Sequence, residues 1–140
     1  MNSKPQARLN IDTWQRVRLS RTDDDVRKVM TEKLVFVYTT YPSLVEAENA
    51  GRRLVEGRLA ACVNILPGMV SHYWWQGAIE RGEEVVMIVK TRASLVDRLC
   101  EAVKQAHAYT TPAIVVLPIE GGDPAYLGWL LAETAPPPAS

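Results

Sequence analysis

AACVNILPGMVSHYWWQGAIERGEEVVMIVKT, residues 60–91, is the stretch that decides the fold. Its first apolar run breaks at Pro67-Gly68 and ends in two adjacent tryptophans, Trp74 and Trp75. A two-residue turn signal follows at Gln76-Gly77, and the chain returns through Val85-Val86-Met87-Ile88-Val89. Two β-rich runs separated by so short a turn predict a hairpin. Its strands should be Cys62 to Trp75 and Ala78 to Thr91. Proline cannot donate to a central ladder, so the first strand should bend or bulge at Pro67. The hairpin is longer than one small domain needs, and its surplus is expected to pair outside the fold.

Outward from the hairpin, two strand–helix pairs repeat. Leu34 to Thr40 is a β-rich run closed by the turn signal Tyr41-Pro42. Ser43, with Glu46 three residues on, predicts a capped helix. Leu44, Ala47, Gly51, Leu54 and Val55 fall on one face of it, and Gly57 ends it. After the hairpin, Ser94 with Asp97 predicts a second helix. Leu95, Leu99, Ala102, Val103 and Ala106 form its stripe, and Thr110-Thr111-Pro112 closes it. Ile114 to Leu117 is a fourth strand, and Asp123-Pro124 opens a short last helix carrying Tyr126, Leu127, Trp129 and Leu130.

The order β-α-β-β-α-β plus a helix predicts an α+β, ferredoxin-like split β-α-β fold. Its sheet is antiparallel with two helices on one face. Nothing in the chain is long enough to cover the other face. Yet Val85 to Val89 is apolar at both parities, so both faces of that strand should be buried. The missing cover is expected from other copies of the chain, which predicts a homo-oligomer.

Composition bounds the function. The chain has 140 residues, 47% of them hydrophobic, and a net charge of zero, which is one domain with a real core. Residues 1–33 carry eight Lys/Arg and five Asp/Glu, and residues 34–140 carry eight and eleven. The core therefore lacks the basic surplus of a nucleic-acid binder. Residues 1–33 read as an N-terminal extension, with a short helix around 23–32, and residues 134–140 as a tail. No stretch has the length of a membrane span, and the N-terminus lacks an apolar leader core. Two cysteines outside any CxxC pair, Cys62 and Cys100, read as reduced thiols, so a cytoplasmic location is expected. There is no GxSxG, HExxH or phosphate-binding loop, and the chain does not read as an enzyme.

Several strings are shared with one family. LAACVNI at 59–65 resembles the CutA divalent-cation tolerance proteins. So does the spacing of Ser71, Tyr73, Trp75 and Gly77, and so does Lys90-Thr91 at a strand end. His107, Tyr109 and Pro112 resemble a further motif of that family, and Leu117, Pro118, Asp123, Tyr126, Leu127 and Trp129 its close. The resemblance runs from about residue 34 to 133. It implies a cytosolic, very stable homotrimer of PII-like architecture linked to copper and other divalent cations. The chain departs from the family pattern at Tyr38, Ala106 and Thr110, positions where some members carry a cysteine, a histidine and a carboxylate.

Two side chains are then candidate metal ligands. His107 ends the second helix, where the dipole favours a cation; it is either an imidazole ligand or a cap on helix-end carbonyls. Cys62 is either a soft-metal thiolate or a small buried hydrophobe. Cys100 reads as structural. Two ligands fall short of the four a transition metal usually takes, so a trimer would have to supply the rest. Trp74 and Trp75 must point to opposite faces of their strand and read as subunit contacts. Tyr73, Trp75, Lys90, Tyr109 and Glu84 are the candidates for a polar inter-subunit cleft. Two functions follow: a trimeric protein that binds copper or another divalent cation, or a PII-like sensor whose clefts take a small anion or a partner protein.

Overall fold

A computed structural model of the protein describes residues 32–134. The expectations for residues 1–31 and 135–140, including the short helix around 23–32, lie outside the described residues. The elements are β1 (Leu34–Tyr41), α1 (Leu44–Glu56), β2 (Cys62–Trp75), β3 (Ala78–Arg92), α2 (Val96–Ala106, after a 3₁₀ turn Ala93–Leu95), β4 (Ile114–Pro118) and α3 (Pro124–Glu133). The sheet order is β2-β3-β1-β4, with every neighbouring pair antiparallel. This is the expected ferredoxin-like arrangement.

Local chemistry explains most boundaries. Ser43 Oγ accepts from the Glu46 N–H at 3.2 Å and donates to Glu46 Oε2 at 2.8 Å, so serine and glutamate cap α1 together. Gly57 ends α1 with φ near −79°, and the left-handed residue is the next one, Arg58, at φ 61°. The Arg58 guanidinium lies 2.7 Å from Glu133 Oε2, an exposed ion pair to the end of α3. Gln76 and Gly77 both have positive φ, 50° and 82°, the geometry of a tight hairpin turn whose twist matches the strands. The register slips between Leu66 and Met69, with Gly68 at φ 84°, which is the bulge expected at Pro67-Gly68. Asp123 caps α3 by accepting from the Tyr126 N–H at 3.1 Å.

The second helix starts differently from its prediction. Ser94 does not cap it; its hydroxyl donates to Glu32 Oε1 at 3.1 Å. The 3₁₀ turn intervenes, and α2 begins at Val96 with no side-chain cap. The cap pattern in the sequence is satisfied by a tertiary partner instead of by the helix. The α1 stripe is also narrower than read. Ala47, Gly51 and Leu54 are buried, whereas Leu44 and Val55 face outward. On α2, Leu99 and Val103 are buried while Ala106 is exposed.

The main core lies between the helices and one sheet face. Val37, Met87, Val89 and Leu99 there are wholly buried. Gly51 lets α1 approach closely. A Cβ at this position would come within 2.8 Å of Val63 Cγ2 and 3.0 Å of Met87 Sδ. The second face is not entirely bare, as the sequence had suggested. α3 packs across one end of it, where Leu130 meets Leu34 and Ala61. Arg92 fastens α3: its Nε donates to Thr134 Oγ1 at 3.0 Å, and its Nη2 donates to the Leu131 carbonyl. The guanidinium adds charged donors at the C-terminal end of α3, where the Leu131 carbonyl also accepts from the Thr134 N–H and hydroxyl. Beyond α3 that face stays open. Leu66, Val115 and Leu117 are exposed on or beside it.

The hairpin continues past the sheet. β1 pairs with β3 only as far as Tyr41 opposite Val85. Seven further pairs, from Met69–Glu84 to Trp75–Ala78, join β2 and β3 alone, an arm about 23 Å long. Trp74, Trp75 and Ile79 at its end are 73%, 60% and 63% exposed.

Two substitutions test this packing. Gly51→Val should cost about 2–3 kcal/mol by overpacking the α1–sheet contact, read as a fall in midpoint by thermal melting. Tyr41 is buried, and among the described residues its hydroxyl has no hydrogen-bond partner. Tyr41→Phe should therefore leave stability unchanged or raise it by up to about 1 kcal/mol in denaturant titration, and a loss larger than that would refute the unpaired hydroxyl.

Candidate functional site

The candidate residues fall into two groups at opposite ends of the sheet. The first gathers where α2 ends. His107 is the C-cap of α2, and its ring is pinned on both sides. Nδ1 accepts from the Tyr109 N–H at 3.0 Å. A nitrogen that accepts cannot also carry the proton, so Nε2 does, and it donates to the Thr40 carbonyl at 2.6 Å. The ring stacks on Tyr41 with centroids 4.5 Å apart and leans against Tyr109 at 4.9 Å. Burial pushes the Tyr41 phenol up to about 12, so it stays protonated.

Tyr109 carries the group across to the hairpin. Its hydroxyl donates to Glu84 Oε1 at 3.1 Å. Burial, then that carboxylate, hold the Tyr109 phenol above its usual value, with smaller contributions from Glu46 and Tyr73. Tyr73, Tyr109 and Glu84 therefore lie close together within one protomer. Trp75 lies farther out, at the hairpin tip.

The second group lies near α3. Cys62, Lys90 and Phe36 form one row across β2, β3 and β1, on the face opposite the main core. Lys90 Nζ donates to the Tyr126 hydroxyl at 2.7 Å and sits over the rings of Phe36 and Tyr126, 5.6 and 5.2 Å from their centroids. Cys62 Sγ lies 3.9 Å from Asn64 Nδ2. Burial pushes the Cys62 thiol up, and the Lys90 charge offsets only part of that. The thiol is thus the resting form, not an activated nucleophile.

Lys90 therefore does not join Tyr73, Tyr109 and Glu84 within one protomer. It pairs six residues along β3 from Glu84, about 20 Å away in an extended strand. The same separation divides the metal candidates. Cys62 shares the row of Phe36, while His107 is bonded to Thr40, four residues or about 13 Å along β1. Among the described residues no three His, Cys, Asp or Glu side chains gather to hold a metal ion. Both nitrogens of His107 are already engaged. One protomer's donors do not fit a metal ion at His107 and Cys62 together.

Tyr41, Phe36, Asn64 and Tyr126 belong to these groups and were not singled out as site residues. Strand parity could have placed Phe36 and Asn64 beside Cys62 and Lys90, given the register. Tyr41 had been read only as a turn residue. No helix among the described residues is long and apolar enough to cross a membrane.

Comparison with known proteins agrees with this architecture. The sequence pattern of the CutA1 divalent ion tolerance protein family matches residues 35–133. A divalent-cation tolerance protein CutA from Archaeoglobus fulgidus is 50% identical over 95 residues, 68% of this chain and 92% of the relative. A chloroplastic protein CutA 1 from Oryza sativa subsp. japonica is 43% identical over 100 residues, 71% of this chain; the chain spans 56% of that relative's length. The crystal structure of CutA1 from Oryza sativa superposes with a TM-score of 0.72 at 42% identity, covering 74% of this chain and 94% of that one. With the match covering all three helices and all of the sheet but Leu34, the chain belongs to the CutA1 divalent ion tolerance protein family.

Proposed function

We propose that the protein acts in divalent-cation tolerance as a cytoplasmic, non-enzymatic homotrimer that binds copper or another divalent metal ion between its subunits. One observation carries this reading: large apolar side chains stay exposed on the second sheet face, at Leu66, Val115 and Leu117, and at the hairpin tip, at Trp74, Trp75 and Ile79. An exposed surface of that extent is the usual mark of an assembly face. Cys62 and Lys90 lie on the same sheet face, so a subunit seated there would bring its own donors toward Cys62. A ligand set built in this way would make up the shortage of donors in one chain. His107 is the weaker candidate, because a metal at Nδ1 must displace the Tyr109 N–H. The acidic balance of residues 34–140 gives no support to a nucleic-acid partner.

A second reading has its own support. Lys90 is half-buried, and among the described residues no carboxylate lies within ion-pair distance of it. An ammonium has three donors, and Tyr126 takes one of them. Covering this face would bury the charge further, at a cost that an anion would offset. A PII-like trimer that takes a small anionic ligand or an acidic partner segment at its clefts fits that arrangement.

Light scattering on the purified protein should give a mass three times that of the 15.6 kDa chain, and a monomer would overturn both readings. Copper titration separates them. In the first, Cu²⁺ binds and Cys62→Ser weakens it by tenfold or more, about 1.4 kcal/mol, while His107→Ala has the smaller effect. In the second, inorganic phosphate or citrate raises the melting temperature, and Lys90→Met abolishes the shift with copper without effect.

A further inference from the structure

The hairpin arm has two chemically different faces. Directly paired residues share a face, so Tyr73 stands with Glu80 and Trp75 with Ala78, and Gly82 and Glu84 continue that face toward the sheet. No cation stands on it. The one Lys or Arg within residues 69–84 is Arg81, which takes the opposite face and pairs there with Glu83 at 3.3 Å. Among the described residues neither Glu80 nor Glu84 belongs to an ion pair. The first face is therefore aromatic and acidic, with no positive charge of its own.

Two tyrosines converge on Glu84. Tyr109 comes from the loop after α2 and donates to Glu84 Oε1 at 3.1 Å, which leaves Oε2 outside that bond. Tyr73 leans away from Glu80 and lies across Gly82, with Cε1 at 3.5 Å and the hydroxyl at 3.6 Å from the position a Cβ would take there. Glycine thus lets the ring lie low over β3, on the Glu84 side of its own pair. Tyr73 and Glu84 both sit close enough to act on the Tyr109 phenol, and Glu46 adds its charge from α1. Tyr73 and Tyr109 remain 46% and 36% exposed, and Trp75 beyond them 60%.

An aromatic ring and a carboxylate attract the same kind of group, a cation. A metal ion does not suit this place, because no three His, Cys, Asp or Glu side chains gather among the described residues. A guanidinium does: its plane lies on aromatic rings while its edge donates to a carboxylate. The face is too open to enclose a small free ligand, so the guanidinium should arrive on a chain that makes further contacts beside it.

We propose that this face of the arm is a docking site for an arginine of a basic partner segment, with the guanidinium on Glu84 between Tyr73 and Tyr109. Trp75 extends the aromatic strip under the residues flanking that arginine, and Glu80 offers a second carboxylate. Charge complementarity selects the occupant: an uncompensated acidic face takes a basic segment. Every residue of the site belongs to one protomer, so it depends neither on the trimer nor on Cys62 and Lys90.

Amide NMR on the full chain, titrated with an acetyl-Ala-Arg-Ala amide peptide, tests this. Saturable shifts are expected at Gly82, Glu84 and Tyr109. Glu84→Gln keeps an acceptor for Tyr109 and should weaken binding about tenfold. Tyr73→Ala should weaken it about fivefold, while Tyr73→Phe, which keeps the ring, should stay within about twofold. The same peptide with citrulline, an uncharged match of arginine, should not bind. Equal binding of the citrulline peptide, unchanged affinity in Glu84→Gln, or no shift at these amides would overturn the proposal. A lysine peptide that binds as tightly would overturn the assignment to a guanidinium.

Discussion

Both faces of β3 are apolar, and the rest of the structure answers to that constraint. Val85, Met87 and Val89 point to one side, and Val86 and Ile88 to the other, so water must be excluded from both. α1 and α2 close the first side. Gly51 makes this possible, because a side chain there would collide with Val63 and Met87. On the second side α3 closes one end only. Arg92 reaches the end of that helix from β3 itself, so one strand supplies the core on one face and the anchor on the other.

The partial closure of the second face gives the candidate residues their meaning. The row Phe36, Lys90, Cys62 lies beside the first turn of α3, with Tyr126 leaning over the lysine. At the other end of the sheet, His107 ties the end of α2 to β1, and Tyr109 ties the following loop to β3 through Glu84. Each group is anchored to rigid elements and each borders surface that the protomer does not cover. Neither has the paired nucleophile and base that covalent catalysis uses.

Much of this was legible in the residues. Gln76-Gly77 flanked by β-rich runs identified the hairpin, because so short a turn with a glycine in it joins two antiparallel strands. Pro67-Gly68 located the bulge through the missing N–H. Ser43 and Asp123 marked helix starts because each side chain reaches a free backbone N–H three residues on. Ser94 was misleading for the same kind of reason: a hydroxyl that can cap a helix can equally bond elsewhere, and Glu32 was the nearer partner. Within one protomer the cleft candidates fall into two groups, because periodicity says which face a residue takes, not how far along a strand it sits from another candidate. Lys90 and Glu84 share β3 but lie near opposite ends of its pairing with β1.

By itself the sequence determined the order and kind of the elements, the surplus length of the hairpin and the need for cover on both sheet faces. These are local or periodic properties, set by turn chemistry, capping groups and alternation along each strand. Tertiary structure decided the contacts between distant positions. His107 is locked by Thr40, sixty-seven residues away, and Lys90 by Tyr126, thirty-six away. Such pairs depend on strand register and on where α3 docks, and register is a property of the assembled sheet that no single segment carries.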